Sequence, residues 1–316
     1  MILWKQIPVT DAILVSSNLA EDDFPVWSGA NDYNFGDQVI STATHTVYRC
    51  LVTHLAADSQ DPDVAEVAFS NPLIEDPAER KWQVVSATNR WKAFDEKPDN
   101  RAVNSETIEF ELLPGELTTA IAFFGLSAES LRVEVIDPTD GVVYDEALDL
   151  IDNSAIVDYD EYFFAPQEYL DVVSLVDLPP YSTTTINITI TNPGETVTVG
   201  QIALGRARTF GFTRVGNTGF RINDRSVVIF DDFNNKTAVK RVATRIFDAD
   251  VTIDSTRVAA LSNFVESIRG GTPAVFVADN DSRKATISYG IIAPGTRAVY
   301  AVGDLTNFNI QIEELT

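Results

Sequence analysis

Strict alternation of apolar and polar residues is the feature that most constrains the fold of this chain. It runs through residues 131–136 and again through residues 185–191. A period of two places one face of a strand on a core and leaves the other face in water. Turn sequences at residues 113–115, 137–141 and 192–194 are expected to separate such runs. The pattern predicts an antiparallel β-sandwich, of the jelly-roll kind, over residues 99–205.

The last third of the sequence combines strand-like runs with one helical pattern. The apolar face of this helix consists of Val258, Leu261, Phe264, Val265 and Ile268. Asp254 or Ser255 is positioned as its N-cap, and the glycine pair at 270–271 supplies a left-handed C-terminal end. We therefore predict an α+β domain over residues 206–316, with one helix laid on a sheet.

The first 98 residues predict two further units. Residues 1–23 indicate an N-terminal arm with one or two short strands. Residues 24–98 carry short alternating runs between proline-containing turns, which is typical of a small, aromatic-rich β module. Within this module, residues 56–79 are acidic and contain three prolines, so we expect them to form a loop that crosses back over it. The chain as a whole is predicted to be mainly β.

Charge is distributed unevenly along the sequence. The 316 residues have a formal net charge of −24, from 47 acids and 23 bases. Residues 99–205 hold 20 acids and 2 bases, whereas residues 206–316 hold 12 acids and 14 bases. The summed field repels a phosphate backbone, so we expect no binding to nucleic acid. The change at Gly205-Arg206 predicts an acidic sandwich that faces solvent and a near-neutral C-terminal domain that packs on a neighbour.

Residue types that perform nucleophilic or zinc chemistry are scarce. His45 and His54 are the two histidines, and Cys50 is the single cysteine. On one continuous strand, His45 and Cys50 point to opposite faces, while Cys50 and His54 share a face but lie too far apart for a hydrogen bond. We therefore expect a buried Cys50 thiol, no zinc site and no nucleophilic triad. The chain is predicted not to be an enzyme.

Hydropathy gives no sign of a membrane segment. No window approaches the roughly 18 consecutive apolar residues that a membrane span needs. The first residues also lack the apolar core of a signal peptide. We therefore expect a protein that is made in a cytoplasm and does not insert into a membrane.

An acidic cluster near the end of the predicted sandwich has two interpretations. Asp158, Asp160 and Glu161 alternate with aromatic residues. Oxygen-rich clusters of this kind suit calcium, although the glycine-marked spacing of an EF-hand is absent. The cluster is either a calcium site or a solvated acidic loop, and no other cofactor is predicted.

Aromatic residues are concentrated in the N-terminal module. Trp27, Tyr33, Tyr48 and Trp82 fall there, in a region with few large aliphatic residues. One interpretation is that these rings form the core of a small domain. The other is that they are exposed as a platform on which sugar rings stack.

The spacing of this cassette resembles that of a known family. The motif consists of Trp27, Tyr33-x-x-Gly36-Asp37-x-Val39, Val47-Tyr48 and Trp82. It resembles the small chitin-binding type modules that are appended to chitinases and reused in phage tail proteins. The acidic insertion at 56–79 departs from that family's pattern. The resemblance implies a carbohydrate-binding-like module over residues 24–98, with Trp27, Tyr33, Tyr48 and Trp82 contacting the sugar.

A second resemblance covers most of the chain. The stretches that carry it are residues 86–95 (SATNRWKAFD), 160–164 (DEYFF) and 177–181 (DLPPY). Together they resemble a family of tailed-phage and prophage virion proteins. In that family such a module precedes a galactose-binding-like β-sandwich and a terminal α+β domain. The motif of Asn89, Arg90, Trp91 and Phe94 is then expected to mark the junction between module and sandwich, with a buried ring pair flanked by hydrogen-bonding side chains.

This resemblance implies a non-enzymatic structural component of a phage tail, located in the baseplate, the tail tip or the fibre attachment. The C-terminal domain would dock on the tail, and the partners would be other tail proteins, copies of the chain itself and a host surface glycan. The alternative is a carbohydrate-binding protein that recognises a host receptor. A third hypothesis is a glycan-cleaving enzyme, since 47 acids make carboxylate pairs common.

Overall fold

A computed structural model describes residues 1–58, 60–64, 80–153, 156–214, 216, 218–230, 233–278, 286–293 and 304–316, and the backbone of 297–300. The named strands pair antiparallel and the chain is mainly β, with a β-sandwich and few helices, so the predicted fold class is confirmed. Within these ranges, no helix is both long enough and apolar enough to cross a membrane.

The aromatic module is built on a three-stranded sheet. Its strands are β3 (Gln38–Ser41), β4 (Thr46–Cys50) and β5 (Trp82–Ala87). They lie side by side in that order. One face of the sheet carries the module's buried cluster, which includes Tyr33, Tyr48 and Trp82. Of the loop predicted at 56–79, residues 59 and 65–79 lie outside the described residues.

Two sheets enclose the core of the sandwich. Its elements are β6 (Ala102–Leu112), β7 (Ala120–Phe124), β8 (Ser130–Asp137), β9 (Gly141–Asp149), α1 (Tyr159–Phe164), β10 (Val172–Val176), β11 (Thr185–Val199) and β12 (Gln201–Gly205). One sheet contains β6, β11, β8 and β9, and the other has the order β10-β7-β12. Alternating residues such as Ile188 and Val133 from the first sheet meet Phe123 from the second in one buried cluster. The period-two pattern therefore does place one face of each long strand in the core.

The C-terminal domain packs a helix on a larger sheet. Its elements are β13 (Arg208–Thr209), β14 (Phe212–Thr213), β15 (Gly219–Asp224), β16 (Val227–Phe230), β17 (Lys236–Val239), β18 (Ala243–Asp254), α2 (Val258–Ser267), β19 (Ala274–Val277), β20 (Ile287–Ile292), β21 (Arg297–Tyr300) and β22 (Leu305–Glu314). Leu261 and Phe264 of α2 pack on Phe276 of β19 and Phe247 of β18. Asp254 caps the turn before the helix by accepting a hydrogen bond from the Thr256 N–H at 2.8 Å.

The small β10-β7-β12 sheet is buried on both faces, because the C-terminal domain covers its outer side. The core between the two consists of Trp4, Ala120, Ala122, Phe124, Ala203, Val275, Val277, Ile287 and Tyr289. Along β7, Ile121 and Phe123 face the sandwich core, whereas Ala120, Ala122 and Phe124 face this second core. Continuous apolar runs are the expected signature of strands that are buried on both sides. The molecule thus stacks three sheet layers and one helix.

The predicted N-terminal arm is wrong, because this segment is built into both large domains. Its first strand, β1 (Ile2–Lys5), lies between β13 and β19 inside the C-terminal sheet. Its second strand, β2 (Leu14–Ser17), pairs with β6 at the edge of the sandwich. Trp4 is fully buried and its indole N–H donates to the Ala203 carbonyl. Gly205 permits this packing, since a Cβ there would lie 2.5 Å from the Trp4 ring.

Candidate functional site

The predicted sugar platform is for the most part turned inward. Tyr33, Tyr48 and Trp82 are 6%, 1% and 3% exposed. Their polar atoms are occupied as well: the Tyr48 hydroxyl donates to the Asp63 carboxylate at 3.0 Å, and the Trp82 indole N–H donates to the Gln60 carbonyl at 3.0 Å. A buried ring offers no face to a sugar, so these three residues are corrected to core residues.

Trp27 and Phe35 are two rings of the module that are not fully buried. Trp27 is partly exposed and packs against the edge of the same core. Phe35 is 66% exposed, and the Arg49 guanidinium lies 5.7 Å from its ring centroid. Phe35 is not among the site residues predicted from the sequence. The glycine that follows Phe35 was the available sequence signal. Gly36 adopts a φ of +94°, so Phe35 lies in a turn, where the alternation typical of a strand does not apply.

Cys50 and His54 form a close pair, contrary to the expectation that they lie too far apart. The chain leaves the strand after Cys50 and turns back, which brings His54 Nδ1 to 3.7 Å from the sulfur. The same Nδ1 lies 2.7 Å from the Val52 carbonyl, so it carries a proton and has no lone pair for the thiol. Burial raises the pKa of the Cys50 thiol. This arrangement does not activate a thiolate nucleophile.

The motif that begins at Asn89 lies between the module and the sandwich. The Asn89 side chain pairs with the backbone of Val103, accepting from its N–H at 2.9 Å and donating to its carbonyl at 2.7 Å. Trp91 and Phe94 are buried in the sandwich core, with Phe94 edge-on to Phe110. Arg90 is partly buried. The motif thus fixes the chain where it enters the first strand of the sandwich.

His45 connects the module to this junction. Its ring stacks on Trp91 with centroids 4.1 Å apart and planes 20° apart. Its two nitrogens face two carboxylates: Nδ1 lies 2.8 Å from Glu21 and Nε2 lies 2.9 Å from Asp11. Both carboxylates accept a hydrogen bond only if both nitrogens carry protons, so this geometry fits the imidazolium form. Thr88 closes the network by donating to the same Glu21.

A cleft of about 440 Å³ opens beside this stack. Asp11, His45, Trp91, Asp95 and Lys97 are among the residues that line it. Burial raises the pKa of the Asp95 carboxyl, although hydrogen bonds from Asn100 and from the Lys97 N–H act in the opposite direction. The Trp91 indole N–H is buried and has no hydrogen-bond partner in the part of the chain that the structure describes. The cleft therefore combines an aromatic wall with charged groups, while the Trp91 N–H itself is closed to solvent.

Of the two interpretations of Asp158, Asp160 and Glu161, the described geometry gives no support to a calcium site. Across the described ranges, no three His, Cys, Asp or Glu side chains gather as metal ligands. The Asp158 carboxylate caps α1 by accepting from the Glu161 N–H at 2.9 Å, and the Glu161 carboxylate accepts from the Val157 N–H at 2.6 Å. These hydrogen bonds complete the first turn of a helix, in a variant of the capping box in which Glu161 reaches back to the residue before the N-cap. Asp158 and Glu161 thus have a role in local structure.

Large apolar side chains are exposed in two other places. Around α1, Val157, Tyr159, Tyr162, Phe163 and Phe164 are 66% to 86% exposed. In the C-terminal domain, β16 and β17 form a two-stranded hairpin whose residues are all exposed. Contiguous apolar surface of this kind is typical of contact sites for other macromolecules.

Comparison with known proteins does not extend these observations: no family model matches the sequence, and no curated protein matches it.

Proposed function

We propose that this chain is a non-enzymatic structural component of a tailed-phage type particle, at a baseplate, tail tip or fibre attachment. The observation that carries the proposal is the exposed apolar surface on α1 and on the β16–β17 hairpin. The sandwich and the C-terminal domain that carry these side chains each have a packed core of their own. A protein that is incorporated into an assembly covers such surfaces with its neighbours.

The packing between domains also supports a structural role. Trp4 and Tyr289 lie in a core shared by the sandwich and the C-terminal domain. The Tyr289 hydroxyl donates to the buried Gln6 side chain, which joins the N-terminal segment to the same contact. Strands from the first residues of the chain therefore tie two domains together. Fixed packing between domains holds their surfaces at a constant distance and orientation, which a component of an assembly needs.

Particle composition tests this proposal directly. Tailed particles would be induced from the cells that encode the chain, purified on a density gradient and analysed by mass spectrometry. We expect peptides of this chain to sediment with the tail proteins, and antibody labelling in electron micrographs to mark one end of the tail. Absence of the chain from intact particles, with normal expression in the cells, would rule the proposal out.

Sugar binding is a second candidate function, and the cleft beside the His45–Trp91 stack favours it. Asp11 and Asp95 line this cleft, and their carboxylates are acceptors for sugar hydroxyls. Glycan-array binding would be measured for the wild type, Asp11→Ala and Trp27→Ala. The Asp11 side chain is 77% exposed, so Asp11→Ala removes an acceptor from the cleft with little effect on packing, and we expect it to abolish binding there. Loss of binding in Trp27→Ala alone would assign sugar recognition to the module, and no binding by the wild type would remove this function.

A further inference from the structure

The β16–β17 hairpin presents apolar side chains on both of its faces. Val228 and Phe230 alternate with Val227 and Ile229 along β16, and these four side chains are 39% to 54% exposed. A two-stranded hairpin on its own is only marginally stable in water. An exposed apolar strand is also a hazard that proteins normally cover. The hairpin is therefore expected to be covered by a partner.

The basic side chains that the hairpin offers to a partner are few but lie close together. Residues 219–245 contain six basic residues, of which Arg221, Arg225 and Arg245 form ion pairs with acids of β18 and β22. The other three are Lys236, Lys240 and Arg241, in β17 and directly after it. Lys236 lies with its ammonium 5.7 Å from the Phe230 ring centroid, and Lys240 and Arg241 follow β17 in the sequence. A partner surface that fits this hairpin is apolar and negatively charged.

The segment around α1 has this chemistry. Residues 152–168 contain five acids and no base. Five large apolar side chains are exposed in the same stretch, and no residue of α1 is buried. A helix of six residues is far below the roughly 12 to 15 residues at which an isolated helix becomes marginal in water. Contact with another surface would stabilise it.

We propose that these two surfaces bind each other between copies of the chain: the basic hairpin of one copy packs on the acidic aromatic segment of the next. Both surfaces are exposed within a single copy, so the contact is not satisfied internally. Because the two patches differ, the interface is head-to-tail, and repetition closes a ring or extends a filament. This inference rests on the proposed structural function, and the partner is a second copy of the chain.

Two double variants, each removing one side of the interface, test this pairing. Ile229→Ser with Phe230→Ser disables the hairpin, and Phe163→Ser with Phe164→Ser disables the segment. All four side chains are more than half exposed, so we expect both variants to keep the wild-type circular dichroism spectrum and melting temperature. Val142→Ser, at a 57% exposed position on β9, is the matched control.

Molar mass would be measured by light scattering and sedimentation from about 1 to 100 μM protein. We expect the wild type and Val142→Ser to form concentration-dependent oligomers, and each double variant alone to be monomeric. A mixture of the two double variants retains one intact hairpin and one intact segment, so it should form a 1:1 dimer that grows no further. Oligomers that persist in either variant, or a mixture that stays monomeric, would overturn the pairing.

Charge reversal adds a second readout. Lys236→Glu with Lys240→Glu should weaken wild-type association about tenfold, and raising salt from about 0.05 to 0.5 M should weaken it in the same direction. A wild type that stays monomeric over the whole range would also overturn the inference. The outcome is separable from the proposed function: particles can contain a chain that does not pair in this way, and a self-associating chain can be absent from particles.

Discussion

Two regions of this molecule are rich in aromatic residues, and the structure treats them in opposite ways. In the N-terminal module, Tyr33, Tyr48 and Trp82 are buried and their polar atoms are hydrogen-bonded. Around α1, Tyr159, Tyr162, Phe163 and Phe164 are exposed. The difference lies in the surroundings: the module rings belong to or pack on a three-stranded sheet, whereas the others sit on one short helix between acidic residues. Aromatic residues are therefore core residues where they pack on the module sheet and surface residues on the short helix.

The largest effect that tests this contrast is expected from Trp82→Ala. Removal of a buried indole loses its transfer free energy and leaves a cavity, which destabilises by about 3–5 kcal/mol. Trp82 is 3% exposed and contacts the Tyr33 ring edge-on at 4.9 Å. Denaturant unfolding monitored by hydrogen exchange in β3 to β5 would measure the loss. A change below about 1 kcal/mol would mean that the module core does not depend on its rings.

Tyr33→Phe sharpens the contrast at the level of a single hydroxyl. This hydroxyl accepts from the Ser28 N–H at 2.8 Å and donates to the Ser28 carbonyl at 3.0 Å. Its removal leaves two backbone groups without partners, so we expect a loss of about 1–2 kcal/mol in the free energy of unfolding. Tyr159→Phe is the matched control, because Tyr159 is 83% exposed. Equal effects from the two substitutions would contradict the contrast.

Phe163→Ala should leave the free energy of unfolding within about 0.5 kcal/mol of the wild type. The Phe163 ring is 69% exposed and contacts Tyr162 edge-on at 5.2 Å, both on the same short helix. Because little of the Phe163 ring is buried, its removal loses little apolar contact. Thermal unfolding at low protein concentration, where copies are separate, would measure the change. A larger loss would place this ring in a folded core and would break the comparison.

The sequence predicts most of the sandwich, because alternation in β8 and β11 reports directly on one buried face. It is less informative where burial comes from a distant segment. Trp4 lies in what looks like a free arm, and its burial depends on β12 and β19, which come about 200 residues or more later. The continuous apolar runs of β7 and β19 carried the available signal, since strands buried on both faces need a second covering layer.

Two local features differ from their prediction: the turn expected at residues 192–194 and the distance between Cys50 and His54. The Asn-Pro-Gly stretch at 192–194 predicts a turn, yet β11 continues through it with a shift in its register against β6. A proline at a bulge is compatible with a strand that keeps its pairing on either side. At Cys50, the assumption of one continuous strand put His54 out of reach, and the turn after β4 brought the two within 3.7 Å.

The smallest expected effect concerns the cap of the exposed helix. Asp158→Ala removes the carboxylate that accepts from the Glu161 N–H, and loss of such a cap destabilises a helix by about 1 kcal/mol. Because no residue of α1 is buried, this loss should stay local: the Glu161 amide should exchange faster while the global free energy of unfolding is unchanged. Asp158→Asn keeps an acceptor oxygen at the cap and should retain the protection. The same spectra recorded with added calcium should show no shift at Asp160 or Glu161, since the oxygens of Asp158 and Glu161 are used within the helix. A global loss on Asp158→Ala would instead make α1 part of the cooperative core, and its aromatic rings would then belong with those of the module.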